Sequence, residues 1–534
     1  MKLPLSLYAL SLLVVTALWW GLGRPQPMPT LAGESSQTPC LSYAPFRGDE
    51  SPLVGDIQIE PARIAADLGQ LATRTNCIRT YGVNHGTHLV PELAKQAGLK
   101  VMLGIWLAPE RDRNRKQIDT AIELARRYPE VVSAVVVGNE VLLRGEMTPA
   151  DLGATIREVK AAVPVPVTYA DVPEFWLRHP DLARDVDFVT IHLLPYWEDF
   201  PTPVAGAVAH AEATRQKIVA QLPDKEIFIG EIGWPSAGRM REGALPSRVN
   251  QARFMHEVMA LADREKFGVN LIEAFDQPWK RQREGTVGGY WGLFDAEGRA
   301  PKFAWGQPVS NHPYWPGQAL LGVLLVTLVF LAAGASAKRE GGAEGGATTV
   351  AWLGVAAIAL VSGTAIGLAV EAMWVESLGL TGWIGSLAWV AVAALAPIAG
   401  AAALMGRQGV PPLYRVLGPV PRWPRDRRAV AAGLALAALM VLTIQTALML
   451  VFDPRYVDFP YAQLIGGLVP FLVLALRRQS GSRPLAEKTA ATLLALAAGY
   501  ILLNEGVANW QAVAFCLALA VFALTLASAR GEPD

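Results

Sequence analysis

Hydrophobic positions divide the chain into a mixed N-terminal half and a nearly uniform apolar C-terminal part. Between residues 34 and 308, short apolar runs alternate with amphipathic stretches of helical period. The apolar runs lack a period of two, which predicts strands covered on both faces, as in a parallel sheet with crossover helices. The eight runs are CLSYAPF, NCIRTYG, KVMLGIW, VVSAVVVGNE, VPVTYAD, VDFVTIHLLPY, EIFIGEIGW and VNLIEAFDQPW.

Eight strand and helix pairs in this region predict an α/β fold, the (β/α)8 TIM barrel. A doubly wound open sheet is the alternative architecture. Such a sheet is expected to carry a glycine-rich phosphate loop after an early strand, and the sequence shows none. The pattern therefore favours the closed barrel.

Long apolar segments flank the barrel region, each of a length that crosses a bilayer. The predicted organisation is an N-terminal transmembrane anchor at 1–25, a linker at 26–33, the barrel at 34–308 and an all-α transmembrane domain at 309–534. The seven predicted spans of the last domain lie near 316–336, 347–370, 381–405, 429–451, 461–476, 489–504 and 510–529. With the anchor, the chain is predicted to have eight spans.

The N-terminal segment also resembles a secretory signal peptide, because a basic residue precedes its apolar stretch. Signal peptides usually have an apolar core of about 7 to 15 residues, followed by a small-x-small cleavage site. The apolar stretch after Lys2 is longer, and no such site follows closely. The segment is therefore interpreted as an uncleaved anchor.

Composition and charge agree with a membrane protein. The chain is 52% hydrophobic and 18% charged, and its 47 basic residues balance its 47 acidic ones. No basic tract is interleaved with aromatic residues, so a nucleic-acid partner is not expected. The lipid bilayer is the expected environment.

The loops between the predicted spans alternate in charge. Lys and Arg concentrate around 338–339, 407–428 and 477–488, whereas the stretches WVESLGL, DPRYVDFPY and NEGVANW carry one Arg between them. Because basic loops accumulate on the cytoplasmic side, this pattern predicts cytoplasmic N- and C-termini and a periplasmic or extracytoplasmic barrel.

Two of the three cysteines precede the first two predicted strands. Cys40 and Cys77 therefore occupy equivalent positions on neighbouring strands, while Cys516 lies in the last predicted span. An oxidising compartment would allow a disulfide, but its geometry is demanding. A disulfide and two separate buried thiols both fit the sequence.

Polar residues recur where the predicted strands end, which is the face that carries the active site of a barrel. Three of them are glutamates, and two of these, Glu140 on strand 4 and Glu231 on strand 7, lie on strands whose ends face each other across the barrel mouth. Glycoside hydrolysis needs such a pair, one carboxyl group to protonate the leaving oxygen and one to attack the anomeric carbon. An isolated glutamate would be interpreted as a solvated strand end. The polar residues are Arg79, Tyr81, Asn139, Glu140, Tyr169, Asp171, Tyr196, Trp197, Glu231, Glu273 and Asp276.

Five stretches in the same order resemble glycoside hydrolase family 17, the β-1,3-glucanase and glucanosyltransferase family of plants, fungi and bacteria. They are IRTYG at 78–82, VVGNEV at 136–141, GEIGWPS at 230–236, AFDQPWK at 274–280 and WGLFDAEGRAPK at 291–302. The resemblance implies a retaining enzyme on a (β/α)8 barrel. Retention implies carboxyl groups about 5 to 5.5 Å apart and a covalent glycosyl-enzyme.

The resemblance also implies roles for individual residues. Glu140 is the expected acid/base and Glu231 the nucleophile, while Asn139 is expected to bind the sugar 2-hydroxyl. Tyr196 is expected to support the nucleophile or the leaving group. No metal or other cofactor is implied. The further residues expected to bind substrate are Tyr81, Trp197, Trp234, Glu273, Asp276, Trp279 and Lys280.

Other candidates are weaker on sequence alone. The aromatic residues near the strand ends, including Tyr290 and Trp291, suit sugar rings but are equally typical of core or loop packing. His192 lies inside an apolar run and is interpreted as a barrel-interior residue. His85 and His88 lie in a loop without ligand spacing.

The chain also departs from the plant members of the family. Strand 6 ends in LLPYWE rather than an Asn-Ile-Tyr-Pro pattern, and strand 1 ends in SYAPFRG. The multi-span C-terminal region resembles bacterial members linked to periplasmic β-1,3/β-1,6-glucan synthesis. It suggests a bacterial inner-membrane location and leaves room for a membrane partner in glucan synthesis.

Four functions are weighed on this basis. A covalent intermediate resolved by a sugar hydroxyl gives a transglycosylase acting on β-1,3-glucan oligosaccharides, and one resolved by water gives a hydrolase. Membrane tethering favours transfer. A glucan receptor or transporter is the non-enzymatic alternative, although intramembrane charges are few. A processive nucleotide-sugar synthase is disfavoured, because the longest predicted cytoplasmic loop, 406–428, has a single acidic residue, Asp426.

Overall fold

The computed structural model describes residues 2–29, 39–54, 57–340, 348–418, 423–476 and 484–528. The chain forms two compact units. The first comprises Met1–Pro25, Arg239–Glu242 and Ser310–Asp534, and the second comprises Gln26–Gly238 and Gly243–Val309. Part of the predicted linker, residues 30–33, lies outside the described residues. So do four basic residues used to predict the orientation, Arg422, Arg477, Arg478 and Arg483.

The second unit is a closed barrel of parallel strands in the order β1 to β8, so the predicted fold is confirmed. Each strand lies within one of the apolar runs that predicted it. The strands are β1 (Cys40–Ser42), β2 (Cys77–Arg79), β3 (Lys100–Ile105), β4 (Val132–Asn139), β5 (Val167–Asp171), β6 (Val189–Leu193), β7 (Ile227–Ile232) and β8 (Val269–Leu271).

Helices of the barrel unit follow its strands. The helix α1 (Lys2–Leu22) belongs to the first unit. The helices of the barrel unit among the described residues are α2 (Pro61–Leu71), α3 (Val90–Ala97), α4 (Arg111–Arg127), α5 (Pro149–Ala162), α6 (Pro173–Arg178), α7 (Val204–Gln221), α8 (Arg248–Glu265) and α9 (Arg281–Glu284). Buried aliphatic residues between the strands and helices form the main core, which explains why the strand sequences do not alternate.

The interior of the barrel holds a smaller cluster of buried side chains. Cys40, Cys77, Met102, Ala134, Val136 and Ala170 point inward from the first five strands. Cys40 and Cys77 are paired residues of β1 and β2 and form a disulfide. The sequence was compatible with a disulfide and with two separate thiols, and the strand register brings the two cysteines together as a disulfide.

Breaking the disulfide is expected to lower the stability of the barrel by about 4 kcal/mol, since it closes a long loop of the unfolded chain. The two cysteines are 37 residues apart. Thermal unfolding of the full-length protein, followed by near-ultraviolet circular dichroism, should shift to lower temperature in Cys40→Ala/Cys77→Ala. Cys516→Ala removes the buried free cysteine and is the matched control. An unshifted transition in the double variant would contradict the prediction.

Gly230 in β7 is required by close packing inside the barrel. A Cβ atom there would lie 2.3 Å from Cγ2 of Thr190 and 3.3 Å from Nη1 of Arg79. Gly230 therefore makes room for a buried arginine next to the polar end of its own strand.

The first unit is helical. Its further helices among the described residues are α10 (Trp315–Arg339), α11 (Thr349–Glu376), α12 (Gly379–Met405), α13 (Leu413–Val416), α14 (Arg427–Phe452), α15 (Tyr461–Ala475), α16 (Leu485–Glu505) and α17 (Trp510–Ser528). In the described part of the chain, seven helices are long and apolar enough to cross a membrane: α1, α10, α11, α12, α14, α16 and α17. The apolar α15 is shorter, at 15 residues. Each predicted span overlaps one of these eight helices.

Small residues let the helices of this unit approach closely. A Cβ atom on Gly322 would lie 2.3 Å from the carbonyl oxygen of Gly363, so α10 and α11 meet backbone to backbone. Val15 and Trp19 of α1 are completely buried, and Val15 lies against Gly322. The N-terminal helix is thus an integral packing element of this unit.

Candidate active site

The two candidate glutamates come together at the C-terminal ends of their strands. Glu231 lies in β7 and Glu140 directly follows β4. Glu140 has a left-handed backbone (φ 53°), and its amide donates to the carbonyl of Ala170 at 2.8 Å. A carboxylate oxygen of each glutamate and a ring nitrogen of His192 all lie within 4.8 Å of one another. The Glu231 side chain is 6% exposed and that of Glu140 23%.

Arg79, at the end of β2, connects the groups of this site. Its Nη1 donates to the carbonyl of Gly230 at 2.6 Å and lies 3.5 Å from Oε1 of Glu231. Its Nη2 donates to Oδ1 of Asn139 at 2.6 Å. Because the guanidinium only donates, it directs the amide nitrogen of Asn139 away from itself and leaves that group as the donor for a ligand. Arg79 therefore orients both Asn139 and Glu231.

Tyr81 follows β2 and contacts the same carboxylate. Its hydroxyl donates to Oε1 of Glu231 at 2.9 Å and shares a hydrogen bond with Oγ of Ser42 at 3.0 Å. Burial, with the negative charge of Glu231 as a second cause, raises the pKa of Tyr81 well above its ordinary value. The tyrosine therefore stays a neutral donor to Glu231 over the working pH range.

Tyr81→Phe is expected to lower kcat/KM by roughly ten- to a hundredfold, the effect of losing one hydrogen bond to a charged group. Steady-state kinetics on the β-1,3-glucan oligosaccharides expected from the sequence would measure it. Tyr128→Phe removes a hydrogen bond between a tyrosine and Glu92 on the barrel surface, and it should leave the rate unchanged. Equal rates in the two variants would show that Tyr81 does not act on Glu231.

His192 of β6 joins the two carboxylates. Its Nδ1 lies 2.8 Å from Oε1 of Glu140 and 3.7 Å from Oε2 of Glu231. Burial alone would raise the pKa of Glu140, but the hydrogen bond from His192 and the charges of Arg144 and Arg79 outweigh it. The pKa of Glu140 lies below its ordinary value as a result.

The same three side chains, Glu140, His192 and Glu231, are spaced closely enough to hold a metal ion. Arg79 argues against that use, because its Nη1 lies 3.3 Å from Nε2 of His192 and 3.5 Å from Glu231. The guanidinium already offsets one of the two negative charges of the cluster, and it would repel a second cation there. The donor set fits carboxylate chemistry better than metal chemistry.

The segment after β8 contributes two ion pairs. Glu273 is 1% exposed and accepts from Nζ of Lys280 at 2.8 Å. Burial raises the pKa of Glu273 to about 7 although Lys280 opposes the rise. Asp276 pairs with Lys302 at 2.6 Å, and burial raises its pKa to about 6. Lys280 also acts electrostatically on Glu231, which places it at the site.

The sequence suggested that Asp276 contacts the substrate, but the structure places its side chain elsewhere. It is 3% exposed and also accepts the backbone amide of Gly292 at 2.8 Å. Its carboxylate therefore fastens the loop after β8, and only 4% of the side chain is exposed.

The candidate aromatic platforms divide by exposure. Trp197 and Trp279 are half-buried and keep part of each ring accessible. Trp234 is 0% exposed; its Nε1 donates to the carbonyl of Leu245, and its ring packs on Phe254. A sugar-facing role for Trp234 does not fit this position, because both ring faces are covered by the core.

Tyr196 is 1% exposed and lies at the centre of the aromatic cluster. Its ring is 5.2 Å from that of Trp197, 6.2 Å from Trp234 and 6.0 Å from Trp291, all edge to face. Trp197 in turn stacks on Trp291 at 6.4 Å. Tyr196 therefore holds the accessible Trp197 in place.

Three residues of the site were not singled out for chemistry on sequence alone. They are Arg79, His192 and Glu284. Glu284 is half-buried; burial raises its pKa, Lys280 opposes the rise, and the charges of Glu231 and Glu140 add to it. Arg79 was among the polar strand-end residues that the sequence indicated, but without a role. His192 and Glu284 carry no such signal.

Comparison with known proteins finds relatives of the barrel. A protein-family model described as the BtgE/BtgC glycoside hydrolase domain matches residues 40–292. A glucan 1,3-beta-glucosidase of Arthroderma benhamiae is 29% identical over 268 residues, which are 46% of this chain and 84% of that protein. A probable family 17 glucosidase of Saccharomyces cerevisiae is 25% identical over 264 residues, 48% of this chain and 64% of that protein.

Among solved structures, an active-site mutant of Rhizomucor miehei beta-1,3-glucanosyltransferase in complex with laminaritriose matches with a TM-score of 0.45 and 22% identity. The match covers 52% of this chain and 99% of that one. These relatives and the family model match about half of the chain. Residues 40–292 therefore form a closed barrel that matches the BtgE/BtgC glycoside hydrolase domain, and this domain is similar to family 17 glycoside hydrolases.

Proposed function

We propose that this protein is a membrane-anchored retaining enzyme that acts on β-1,3-glucan chains and mainly transfers glycosyl groups, with some hydrolysis. The observation that carries the proposal is the approach of Glu140 and Glu231 to within 4.8 Å, oxygen to oxygen. Retaining glycosidases hold their carboxyl groups about 5 to 5.5 Å apart, whereas inverting ones leave room for a water at about 6.5 to 9.5 Å.

The unequal surroundings of the two carboxylates support separate roles. Glu231 is nearly buried and accepts a hydrogen bond from the hydroxyl of Tyr81, and the guanidinium of Arg79 lies beside it. These contacts orient the carboxylate for attack on the anomeric carbon. Glu140 is more exposed and can reach the oxygen between two sugars. In the first step Glu140 protonates that oxygen while Glu231 forms a bond to the anomeric carbon.

The second step reverses the role of Glu140. As a carboxylate it removes a proton from the incoming hydroxyl, which attacks the anomeric carbon and releases Glu231. Water in this position gives hydrolysis, and a sugar hydroxyl gives transfer. Asn139, held by Arg79, presents its amide to the sugar 2-hydroxyl in both steps.

The substrate follows from the relatives. Those named as a glucan 1,3-beta-glucosidase and a probable glucan endo-1,3-beta-glucosidase are 29% and 26% identical to this chain. The half-buried Trp197 and Trp279 offer aromatic surface for glucose rings. A β-1,3-linked glucan is therefore the proposed substrate.

The proposed location is a bacterial inner membrane, with eight spans, both termini in the cytoplasm and the barrel in the periplasm. The charge alternation of the loops supports this orientation. The Cys40–Cys77 disulfide adds independent support, because such bonds persist in oxidising compartments. Tethering at a membrane favours remodelling of a nascent glucan, in contact with a membrane partner in its synthesis, over scavenging.

Product analysis of the full-length protein in detergent with laminari-oligosaccharides tests the proposal. Products longer than the substrate are the expected result, and their new linkage identifies the acceptor hydroxyl. Products that are all shorter than the substrate would show that the enzyme hydrolyses glucan and does not transfer glycosyl groups. An unchanged substrate would reject the proposed activity.

A further inference from the structure

His192 is a buried titratable residue to which the mechanism above assigns no step. It is the fourth residue of β6, next to Glu231 of β7 in the strand register. Its side chain is 0% exposed and lies between the two carboxylates. The imidazole is therefore shielded from water and senses only the groups of the site.

The hydrogen-bond partners decide where the imidazole carries its proton. Nε2 lies 3.3 Å from Nη1 of Arg79, a group that can only donate, so Nε2 must accept. A neutral ring then has its hydrogen on Nδ1, and that atom lies 2.8 Å from Oε1 of Glu140. The arrangement is an Arg79–His192–Glu140 relay of hydrogen bonds.

We propose that His192 is a positioning residue whose Nδ1–H holds Oε1 of Glu140, so that Oε2 is the oxygen that exchanges its proton with the sugar oxygens. The proposal rests on the proposed role of Glu140 as acid/base. Fixing one oxygen leaves a single oxygen for proton transfer and orients the carboxyl plane. Arg79 keeps the imidazole in the tautomer that this requires.

Charged side chains on β2, β5 and β7 face the pair formed by His192 and Glu140. Arg79 lies on β2, Asp171 on β5 and Glu231 on β7, and Arg144 follows Glu140 in the chain. Glu284 adds a further negative charge near Glu140. The pKa of Asp171 is raised by burial. Only His192 donates a side-chain hydrogen bond to Glu140 among these described groups, so its removal has a distinct effect.

The expected effect has a definite sign. A hydrogen bond to the ionised form lowers the pKa of an acid. Without the Nδ1–H, Glu140 keeps its proton to higher pH, by about one pH unit. Since Glu140 must be protonated in the first step, the basic limb of kcat/KM moves upward by the same amount.

The test compares His192→Leu with His192→Asn in the full-length protein. Leucine removes the donor but fills much of the space, whereas the asparagine Nδ2 occupies the place of Nδ1 and restores an N–H for Glu140. Infrared titration of the carboxyl groups measures the Glu140 pKa without substrate, and the band of Glu140 is assigned by its absence in Glu140→Gln. The pH dependence of kcat/KM on laminari-oligosaccharides is the second readout.

We expect the Glu140 titration and the basic limb to move upward in His192→Leu and to stay near their wild-type positions in His192→Asn. An unmoved Glu140 titration in a folded His192→Leu protein would overturn the proposal. An equal movement in both variants would also overturn it, because a merely structural role makes no distinction between donors. A wild-type protein inactive on laminari-oligosaccharides would reject the proposed function, while the infrared titration would still decide the role of His192.

Discussion

Glu231→Gln is expected to abolish turnover of laminari-oligosaccharides, lowering kcat by a factor of roughly 10⁴ or more, as loss of a nucleophile does. Glutamine keeps the size and the hydrogen-bonding oxygen of the side chain, so Tyr81 retains an acceptor. The amide cannot form the glycosyl ester. Oligosaccharide binding, measured by calorimetry, should persist in the variant.

Glu226→Gln is the matched control for this change. Glu226 is exposed and directly precedes β7, so it lies at the opposite end of the same strand. Its replacement should leave kcat unchanged. A Glu231→Gln protein that turned over substrate at the wild-type rate would remove Glu231 from the mechanism and would favour a receptor or transporter.

Glu140→Gln is expected to lower the rate on oligosaccharides by roughly 10² to 10⁴, the usual contribution of a general acid and base. The loss should depend on the leaving group. A glucosyl oxygen needs protonation, whereas fluoride or a nitrophenolate leaves without it. With such a substrate the first step survives, and the glycosyl-enzyme accumulates because no base activates the acceptor.

Added azide should restore turnover in this variant, since azide attacks without losing a proton, and the product should be a β-glycosyl azide. Glu130→Gln is the control, because Glu130 is exposed and lies just before β4, at the far end of the strand from Glu140. An equal loss on both kinds of leaving group, with no azide rescue, would contradict the assignment of Glu140 as acid/base.

Much of the barrel could be predicted from sequence because buried parallel strands produce continuous apolar runs. Each predicted run contains one strand of the closed barrel. Glu140 and Glu231 could be selected because a charge at the end of such a run has little structural reason to be there. The side chains confirm the shared location of the two residues, and their catalytic roles stay a prediction.

The remaining features depend on side-chain direction, which a sequence pattern does not contain. His192 lies within an apolar run, where an inward side chain next to Glu140 looks the same as a core residue. Trp234 and Asp276 follow strand ends but turn into the protein, against Phe254 and Lys302. The disulfide required the register of β1 and β2, which places Cys40 beside Cys77.

A covalent intermediate on Glu231 is the central claim, and trapping it tests that claim most directly. A 2-deoxy-2-fluoro-laminaribiosyl fluoride should react once, because the ring fluorine slows both steps while the fluoride leaving group still permits the first. Mass spectrometry of the full-length protein should then find one glycosyl group on the peptide containing Glu231, and none in Glu231→Gln. A glycosyl group on another residue, or an unlabelled protein that turns over laminari-oligosaccharides, would contradict the account.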